Sequence, residues 1–325
     1  MSQQTTIEVE HLSKVYGSTV AIEDVHFSVD AGEIIGFLGP NGAGKTTTMR
    51  ILAGYLPATS GTAKIAGYDV HRNSMQVRSR IGYLPETPPL YTGMTVKGFL
   101  HFVAKIKGIR AGDRHRKVDN AMVRCQLKEK ENVAIRKLSK GYRQRVGIAQ
   151  AIVHEPPVII LDEPTVGLDP RQIIEVRNLI KSLAGDHTII LSTHILPEAS
   201  MICDRVTIIN RGKVVTTNTP SDLQAQLESS AGYEIEVAGN LESILPLLRE
   251  IPGVTEINES ENSLSAYSEH NFLNISCDSD TEVGKDIAAV IVQQGLDLYE
   301  LRRTRPSLED VFLELTTEEP LAIDN

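Results

Sequence analysis

Residues 5 to 35 alternate apolar and polar side chains, with Ile7 and Val9 and then Ile22, Val25, Phe27 and Val29 recurring at near-strand spacing. That rhythm predicts strands of a small antiparallel sheet with one face on a core. The run Ile34 to Leu38 is apolar throughout, as is Val158-Ile159-Ile160-Leu161, and Thr188 to Leu191 and Val206 to Ile209 are similar. Such runs are expected of strands buried on both faces of a parallel sheet. Ala63 to Ile65 and Ile81 to Leu84 read as further short strands. Helical patterns at Thr47 to Leu52, Gln172 to Leu183 and Leu196 to Met201 alternate with the apolar runs, which predicts a doubly wound sheet. From Val96 to His154 the pattern is mostly helical. Phe99, Phe102, Val103 and Ile106 share one face, and a basic, polar segment runs from Lys105 to Lys117. A helical lobe is expected over about residues 90–155.

After Ala225 acids, serines and asparagines become more frequent, and the strand-like runs shorten to Tyr233 to Val237, Val254 to Ile257, Phe272 to Cys277 and Leu296 to Leu301. Helical stretches at Leu241 to Glu250 and Val283 to Gln294 lie between them. The order β-α-β-β-α-β predicts a small ferredoxin-like second domain. A helix from Leu308 to Leu315 is expected to close it, followed by a loose acidic tail.

The chain has 325 residues, enough for two domains, with 41% hydrophobic and 23% charged residues. Its net charge of −9 supplies no global basic field for nucleic-acid phosphates, so no nucleic-acid partner is expected. Cys125, Cys203 and Cys277 are odd in number and lack metal-type spacing, which fits buried thiols in a reducing compartment. The first ten residues do not read as a secretory signal, and no apolar run approaches the roughly 20 residues of a membrane span. Work at a membrane would therefore go through a partner, with the chain on the cytoplasmic face.

The chemistry concentrates after the first apolar run. Gly39-Pro40-Asn41-Gly42-Ala43-Gly44-Lys45-Thr46, with Thr47 opening the helical pattern, has the spacing of a phosphate-binding loop. Glycines there let successive N–H groups turn inward on phosphate oxygens, and the helix adds the positive end of its dipole. Lys45 would reach the outer phosphates of a nucleoside triphosphate and Thr46 would ligate Mg²⁺. Asp162 and Glu163, at the end of a buried strand, supply the carboxylates such a site needs: Asp162 for the metal, Glu163 for the attacking water. Taken alone, the pair also suits a helix N-terminus opened by Pro164.

With these motifs in place, residues 5–225 resemble the ATP-binding subunit of an ABC transporter. The family's signature appears as Leu138-Ser139-Lys140-Gly141-Tyr142, Gly167 to Pro170 matches its D-loop, and Ser192-Thr193-His194 matches the segment ending in its switch histidine. The resemblance implies an α/β P-loop NTPase core over residues 1–225, with an antiparallel β subdomain and a helical subdomain. Residues 226–325 would then be a small α+β ferredoxin-like accessory domain. It also implies roles: Tyr16 stacks on adenine, His194 binds the γ-phosphate, and Asp169 communicates across a dimer. Ser139 and Gly141 would face the phosphate loop of a second copy, so that two ATP molecules join two chains and hydrolysis needs the dimer. Each residue has a plainer reading too, Ser139 as a helix N-cap and Asp169 as a turn before a helix.

Two departures stand out. Glu86 replaces the glutamine that many members place beside Mg²⁺ and the membrane partner; a carboxylate still binds metal but adds negative charge. Lys140 and Tyr142 replace a glycine and a glutamine of the signature while Ser139 and Gly141 remain. The Leu-Ser-Lys-Gly-Tyr-Arg-Gln-Arg form, Glu86, and the ending Arg305 to Phe312 resemble the branch serving bacterial exporters of the ABC-2 type. ATP closure and hydrolysis would then pull, through a groove near Glu86 and the helical lobe, on cytoplasmic helices of a separate permease. The alternative is a soluble ABC ATPase acting in translation or DNA repair, but paired nucleotide domains, long coiled coils and zinc-type cysteines are missing from the sequence. In the second domain, His270 and scattered acids show no useful spacing, and Arg302, Arg303 and Arg305 read as a solvated strand end. A packing or dimer-stabilising module is expected there.

Overall fold

The alternating start of the chain forms two long antiparallel strands, β1 (Thr5–Tyr16) and β2 (Thr19–Asp30), joined by a tight turn at Gly17. In the computed structural model, residues 5–223, 232–259, 270–278 and 282–304 are described. The chain divides into two compact units, residues 1–220 and 221–325.

In the first unit, β1 and β2 are completed by β4 (Ser60–Ile65) and β5 (Tyr68–Asp69) into a four-stranded antiparallel sheet ordered β2-β1-β4-β5. Its inward residues Ile7, Leu12, Ile22 and Ile65 are fully buried and share a core with Phe37 and Met49. Phe27 and Phe37 meet with ring centroids 5.4 Å apart. Each such large side chain contributes about 1.5–3 kcal/mol by leaving water.

The fully buried runs become the centre of a six-stranded sheet. β3 (Ile34–Leu38), β6 (Ile81–Leu84), β7 (Val158–Asp162), β8 (Thr188–Thr193) and β9 (Arg205–Asn210) are parallel, and β10 (Lys213–Asn218) turns back antiparallel on β9. The order is β10-β9-β3-β8-β7-β6. Because neighbours in space are distant in sequence, helices cross over: α1 (Lys45–Leu52), α2 (Ser74–Arg80), α6 (Pro170–Leu183) and α7 (Leu196–Ile202). The expected helical lobe is present as α3 (Val96–Ile106), α4 (Ala111–Arg124) and α5 (Lys140–Ile152). The basic segment ends α3 and opens α4. Phe99 and Val103 are buried, while Ile106, expected on their face, is 67% exposed.

The second unit has β11 (Gly232–Ala238), α8 (Leu245–Arg249), β12 (Val254–Glu259), β13 (His270–Cys277), α9 (Gly284–Gln293) and β14 (Asp297–Thr304). All pairings are antiparallel and the order is β12-β13-β11-β14, the ferredoxin-like arrangement that the β-α-β-β-α-β pattern predicts. Ile235, Leu273 and Ile275 of the sheet pack with Leu248, Ile287 and Ile291 of the two helices. One sequence expectation is corrected here. His270 has a partner after all, its Nδ1 lying 2.6 Å from Glu236 Oε1 across the β11–β13 pair, with its ring stacked on Tyr299. Arg302 and Arg303 are exposed near the end of β14, as expected, and form surface pairs with Glu234 and, at 3.2 Å, with Glu282. The helix expected at Leu308 to Leu315, the acidic tail and Arg305 to Phe312 lie outside the described residues. The three cysteines are free and buried.

Candidate functional site

The site is assembled at the carboxyl ends of β3, β7 and β8, where a doubly wound sheet opens toward a ligand. β3 runs into the glycine loop and α1 begins at Lys45. Gly44 holds φ at 107°, and a Cβ there would lie 2.5 Å from Ile22 Cγ2 and 2.8 Å from the Ala21 carbonyl. At Gly39 a Cβ would strike the Ile209 carbonyl oxygen. The loop is therefore pressed against β2 and β9 at positions where only glycine fits.

Lys45 folds back over the loop. Its Nζ donates to the carbonyls of Gly39 at 2.6 Å and Pro40 at 3.2 Å, and lies 3.4 Å from Glu163 Oε1. Thr46 Oγ1 donates to Asp162 Oδ1 at 3.3 Å. The same oxygen accepts from Ser192 Oγ at 2.6 Å, while Asp162 Oδ2 is buried with no hydrogen-bond partner. Burial pushes the Asp162 carboxyl above its usual range; the Ser192 and Thr46 hydroxyls oppose that shift and Glu86 adds to it.

Glu163 leaves β7 with φ at 49°, an uncommon conformation for a side-chain-bearing residue and one worth about 1–3 kcal/mol of strain. Its N–H donates to Ser192 Oγ at 3.0 Å, which fixes the turn. The carboxylate thereby bridges two groups, Lys45 through Oε1 and His194 through Oε2, 3.0 Å from Nδ1. As the carboxylate can only accept, His194 Nδ1 carries the proton.

Lys45, Thr46, Thr47, Glu86, Glu163 and His194 line one cavity of about 250 Å³, together with Pro40, Asn41, Gly42 and Gly44 of the loop. Ala43 is buried behind the loop and Asp162 beneath it. Four expected residues stand elsewhere. Ser139, Gly141 and Asp169 line a separate cavity of about 570 Å³, with Tyr142, Arg145 and Gln172. Ser139 is the N-cap of α5, accepting from Tyr142 N–H at 3.4 Å, and Asp169 is the N-cap of α6, accepting from Gln172 N–H at 2.9 Å. Tyr16 ends β1 47% exposed, with Lys14 Nζ 5.1 Å from its ring centroid, and is not among the residues lining the phosphate-loop cavity.

Ser192 is the site residue that sequence reasoning missed. Its place depends on the pairing of Asp162 with Ser192 across β7 and β8, a register between segments 30 residues apart. The only signal was its position two residues before His194.

Asp162 Oδ2, the Thr46 hydroxyl and Glu86 are hard oxygen donors around a polar cavity, a set that fits Mg²⁺.

A parallel sheet that delivers a glycine loop, its lysine and an Asp-Glu pair to one cavity defines a P-loop nucleoside triphosphatase. The family profile described as "ABC transporter" matches residues 22–166. The linearmycin resistance ATP-binding protein LnrL of Bacillus subtilis (strain 168) is 30% identical over 95% of this chain and 98% of its own length. The bacitracin transport ATP-binding protein BcrA of Bacillus licheniformis is 34% identical over 96% and 97%. A solved structure titled "Structure of ATP binding subunit of ABC transporter" superposes with a TM-score of 0.62 at 34% identity, covering 68% of this chain and 93% of its own. The chain belongs to the ABC transporter family, as an ATP-binding subunit with ATPase activity.

Proposed function

We propose that this subunit powers a separate membrane permease, an exporter of the ABC-2 type, by binding and hydrolysing ATP between two copies of itself on the cytoplasmic face of the membrane. The observation that carries the reading is the convergence of Lys45, Thr46, Asp162, Glu163 and His194 on the phosphate loop, with one Asp162 oxygen buried and unpartnered among the described residues. Residues 1–225 act as the nucleotide-binding domain and residues 226–325 as an accessory module for packing or dimer stabilisation.

The loop N–H groups and Lys45 bind the phosphates of ATP, which takes Lys45 from its contact with Glu163. Thr46 and Asp162, with Glu86 nearby, hold Mg²⁺, which neutralises charge on the triphosphate when bound. Glu163 is then free to orient a water on the γ-phosphorus and to accept its proton as the bond to the β-phosphate oxygen breaks. His194 holds the Glu163 carboxylate in place and contacts the γ-phosphate. Tyr16 offers a flat ring to adenine.

The dimer is supported by the separation of the two cavities. Ser139 and Gly141 sit at the start of α5, a helix N-terminus suited to phosphate, yet line a cleft apart from the phosphate loop. A second copy brings its α5 to this loop. The permease is supported by relatives named for resistance and transport, and by the lack of any membrane-spanning helix among the described residues.

The test is Mg²⁺-dependent ATP hydrolysis by the purified chain against Glu163→Gln, with size-exclusion chromatography of both in ATP. Turnover by the parent chain, with lost turnover and an ATP-dependent dimer in the variant, is expected. A variant that hydrolyses ATP at the parent rate would overturn the role of Glu163.

A further inference from the structure

Glu163 and His194 leave the sheet on different turns, one after β7 and one after β8. Their side chains meet, Nδ1 to Oε2 at 3.0 Å, only while the two turns keep a fixed angle to each other. Ser192 joins the turns at one point, through the Glu163 N–H. A single point lets a turn pivot. Pro164, next in the chain, has no N–H with which to add a second. The turn beginning at Glu163 has two long backbone bonds of its own among the described residues, from Val166 N–H to the Glu163 carbonyl at 3.3 Å and from Leu168 N–H to the Thr165 carbonyl at 3.2 Å.

A second anchor lies on the far side of Pro164. Thr165 Oγ1 donates to Glu198 Oε2 at 2.6 Å, between side chains that are 5% and 6% exposed. Thr165 follows Glu163 on one turn, and Glu198 follows His194 in α7, so the bond closes a ring that runs from Glu163 through Thr165, Glu198 and His194 back to Glu163.

Glu198 is out of place by packing rules. It shares the buried face of α7 with Leu196, Ala199 and Ile202, while Met201 of the same helix is 55% exposed. No Lys, Arg or His pairs with it among the described residues, and Thr165 is its one side-chain donor there. Burying a carboxylate in such company is costly, where a methionine would be favourable. A local rule broken without a gain in packing points to function. The hydroxyl-to-carboxylate bond is charge-assisted, and with both groups buried the low local dielectric strengthens it, which makes it a stiff, directional tie.

We propose, building on the roles of Glu163 and His194 in the reading above, that Thr165 and Glu198 are positioning residues for ATP hydrolysis. Their bond locks the turn of Glu163 to the turn of His194 and holds the Glu163 carboxylate at the angle that aims it at the attacking water. The tie matters most with ATP bound, when Lys45 has left Glu163 for the phosphates. Neither Thr165 nor Glu198 lines the phosphate-loop cavity, so losing the bond slows turnover without weakening ATP binding.

The test compares Thr165→Val, Thr165→Ser and the double variant Thr165→Val/Glu198→Met with the parent, all as full chains. Steady-state Mg²⁺-ATP hydrolysis gives kcat and KM, and thermal unfolding gives the melting temperature. Nucleotide-free chains carrying isotope-labelled histidine, at pH ~8 where imidazole is neutral, report by NMR which ring nitrogen of His194 holds the proton, with the signal assigned by His194→Ala. Thr165→Val is expected to lower kcat about tenfold or more with KM within about twofold. Its His194 signal should move from the Nδ1–H form toward the Nε2–H form, as Glu163 no longer accepts from Nδ1. Thr165→Ser keeps the hydroxyl and should restore both. The double variant removes the unpaired carboxylate with its donor, so its melting temperature should return close to the parent's while kcat and the His194 signal stay as in Thr165→Val. Recovery of kcat in the double variant, or an unmoved His194 signal in Thr165→Val, overturns the proposal, leaves the pair a packing contact and leaves the hydrolytic reading standing. A parent kcat in Thr165→Val overturns the proposal as well, and Glu163→Gln then decides the reading beneath it, since turnover by that variant at the parent rate overturns both.

Discussion

Replacing Ser192 by alanine isolates the hydroxyl that ties the Asp162 carboxylate to the turn at Glu163. Ser192 is fully buried, donates to Asp162 Oδ1 at 2.6 Å and accepts from the Glu163 N–H at 3.0 Å. A hydrogen bond to an ionised acceptor contributes about 1.5–3 kcal/mol. The Glu163 N–H retains the Ser192 carbonyl as an alternative acceptor at 3.2 Å. The loss therefore falls mainly on Asp162, and about 2 kcal/mol of stability is expected to go. For a unit of this size that lowers the melting temperature by about 4–8 °C.

The titration of Asp162 makes the reasoning refutable. Its pKa is already raised by burial, and the Ser192 hydroxyl is the first of the groups that hold it down. Without that donor the pKa rises further. A carboxyl whose folded pKa is raised favours the fold below its unfolded pKa and loses that contribution as pH rises through the folded value. The destabilisation by Ser192→Ala should thus be larger near pH ~7 than near pH ~4 in urea titrations of the nucleotide-free chain. The acid limb of Mg²⁺-ATP hydrolysis should move to higher pH if Asp162 holds the metal as proposed, because the carboxyl would have to ionise to do so. Ser192→Thr, which keeps a hydroxyl, should restore both. An equal stability loss at both pH values, with an unmoved acid limb, would refute the link and reduce Ser192 to packing.

Three further outcomes follow from the geometry. Gly44→Ala should abolish binding of a fluorescent ATP analogue and cost about 1–3 kcal/mol in urea unfolding, since its Cβ meets Ile22 Cγ2 at 2.5 Å and φ is 107°; retained binding would mean the loop has room to shift. Tyr16→Ala should raise the KM for ATP by about tenfold with kcat nearly unchanged, the loss of roughly 1–3 kcal/mol of stacking, while an unchanged KM would remove Tyr16 from the adenine site. Leu273→Ala, in a fully buried position of the second unit, should cost that unit about 2–5 kcal/mol; limited proteolysis should then cleave within residues 221–325 first, and an unaltered cleavage pattern would contradict the packing.

The parts of the fold that were legible in the sequence are those where one local rule acts alone. Ile34 to Leu38 and Val158 to Leu161 are apolar at every position because both faces of β3 and β7 are covered, and the glycine spacing after Leu38 admits few other structures. The elements that were not read are short or at an edge. β5 has two residues, α2 has Val77 alone buried, and β10 pairs only with β9 at the edge of the sheet. The helix read over Leu241 to Glu250 is broken by Pro246, so that a 3₁₀ turn at Leu241–Ser243 precedes a five-residue α8. At the site, motifs located Lys45, Asp162, Glu163 and His194, but the Lys45–Glu163–His194 chain and Ser192 depend on strand register, which no local pattern encodes. The His270–Glu236 contact escaped for the same reason, as its partners are 34 residues apart on paired strands.

The central claim is that one chain's phosphate loop works with another chain's signature, and mixing two inactive variants tests it most directly. Lys45→Ala removes the loop cation and leaves Ser139 intact; Ser139→Arg blocks the signature and leaves Lys45 intact. Each purified alone should hydrolyse Mg²⁺-ATP at background rate. Mixed in equal amounts, they should regain turnover, because a mixed dimer rebuilds one complete site from the loop of the second variant and the signature of the first. Background turnover in the mixture, or full turnover by Ser139→Arg alone, would contradict the shared site.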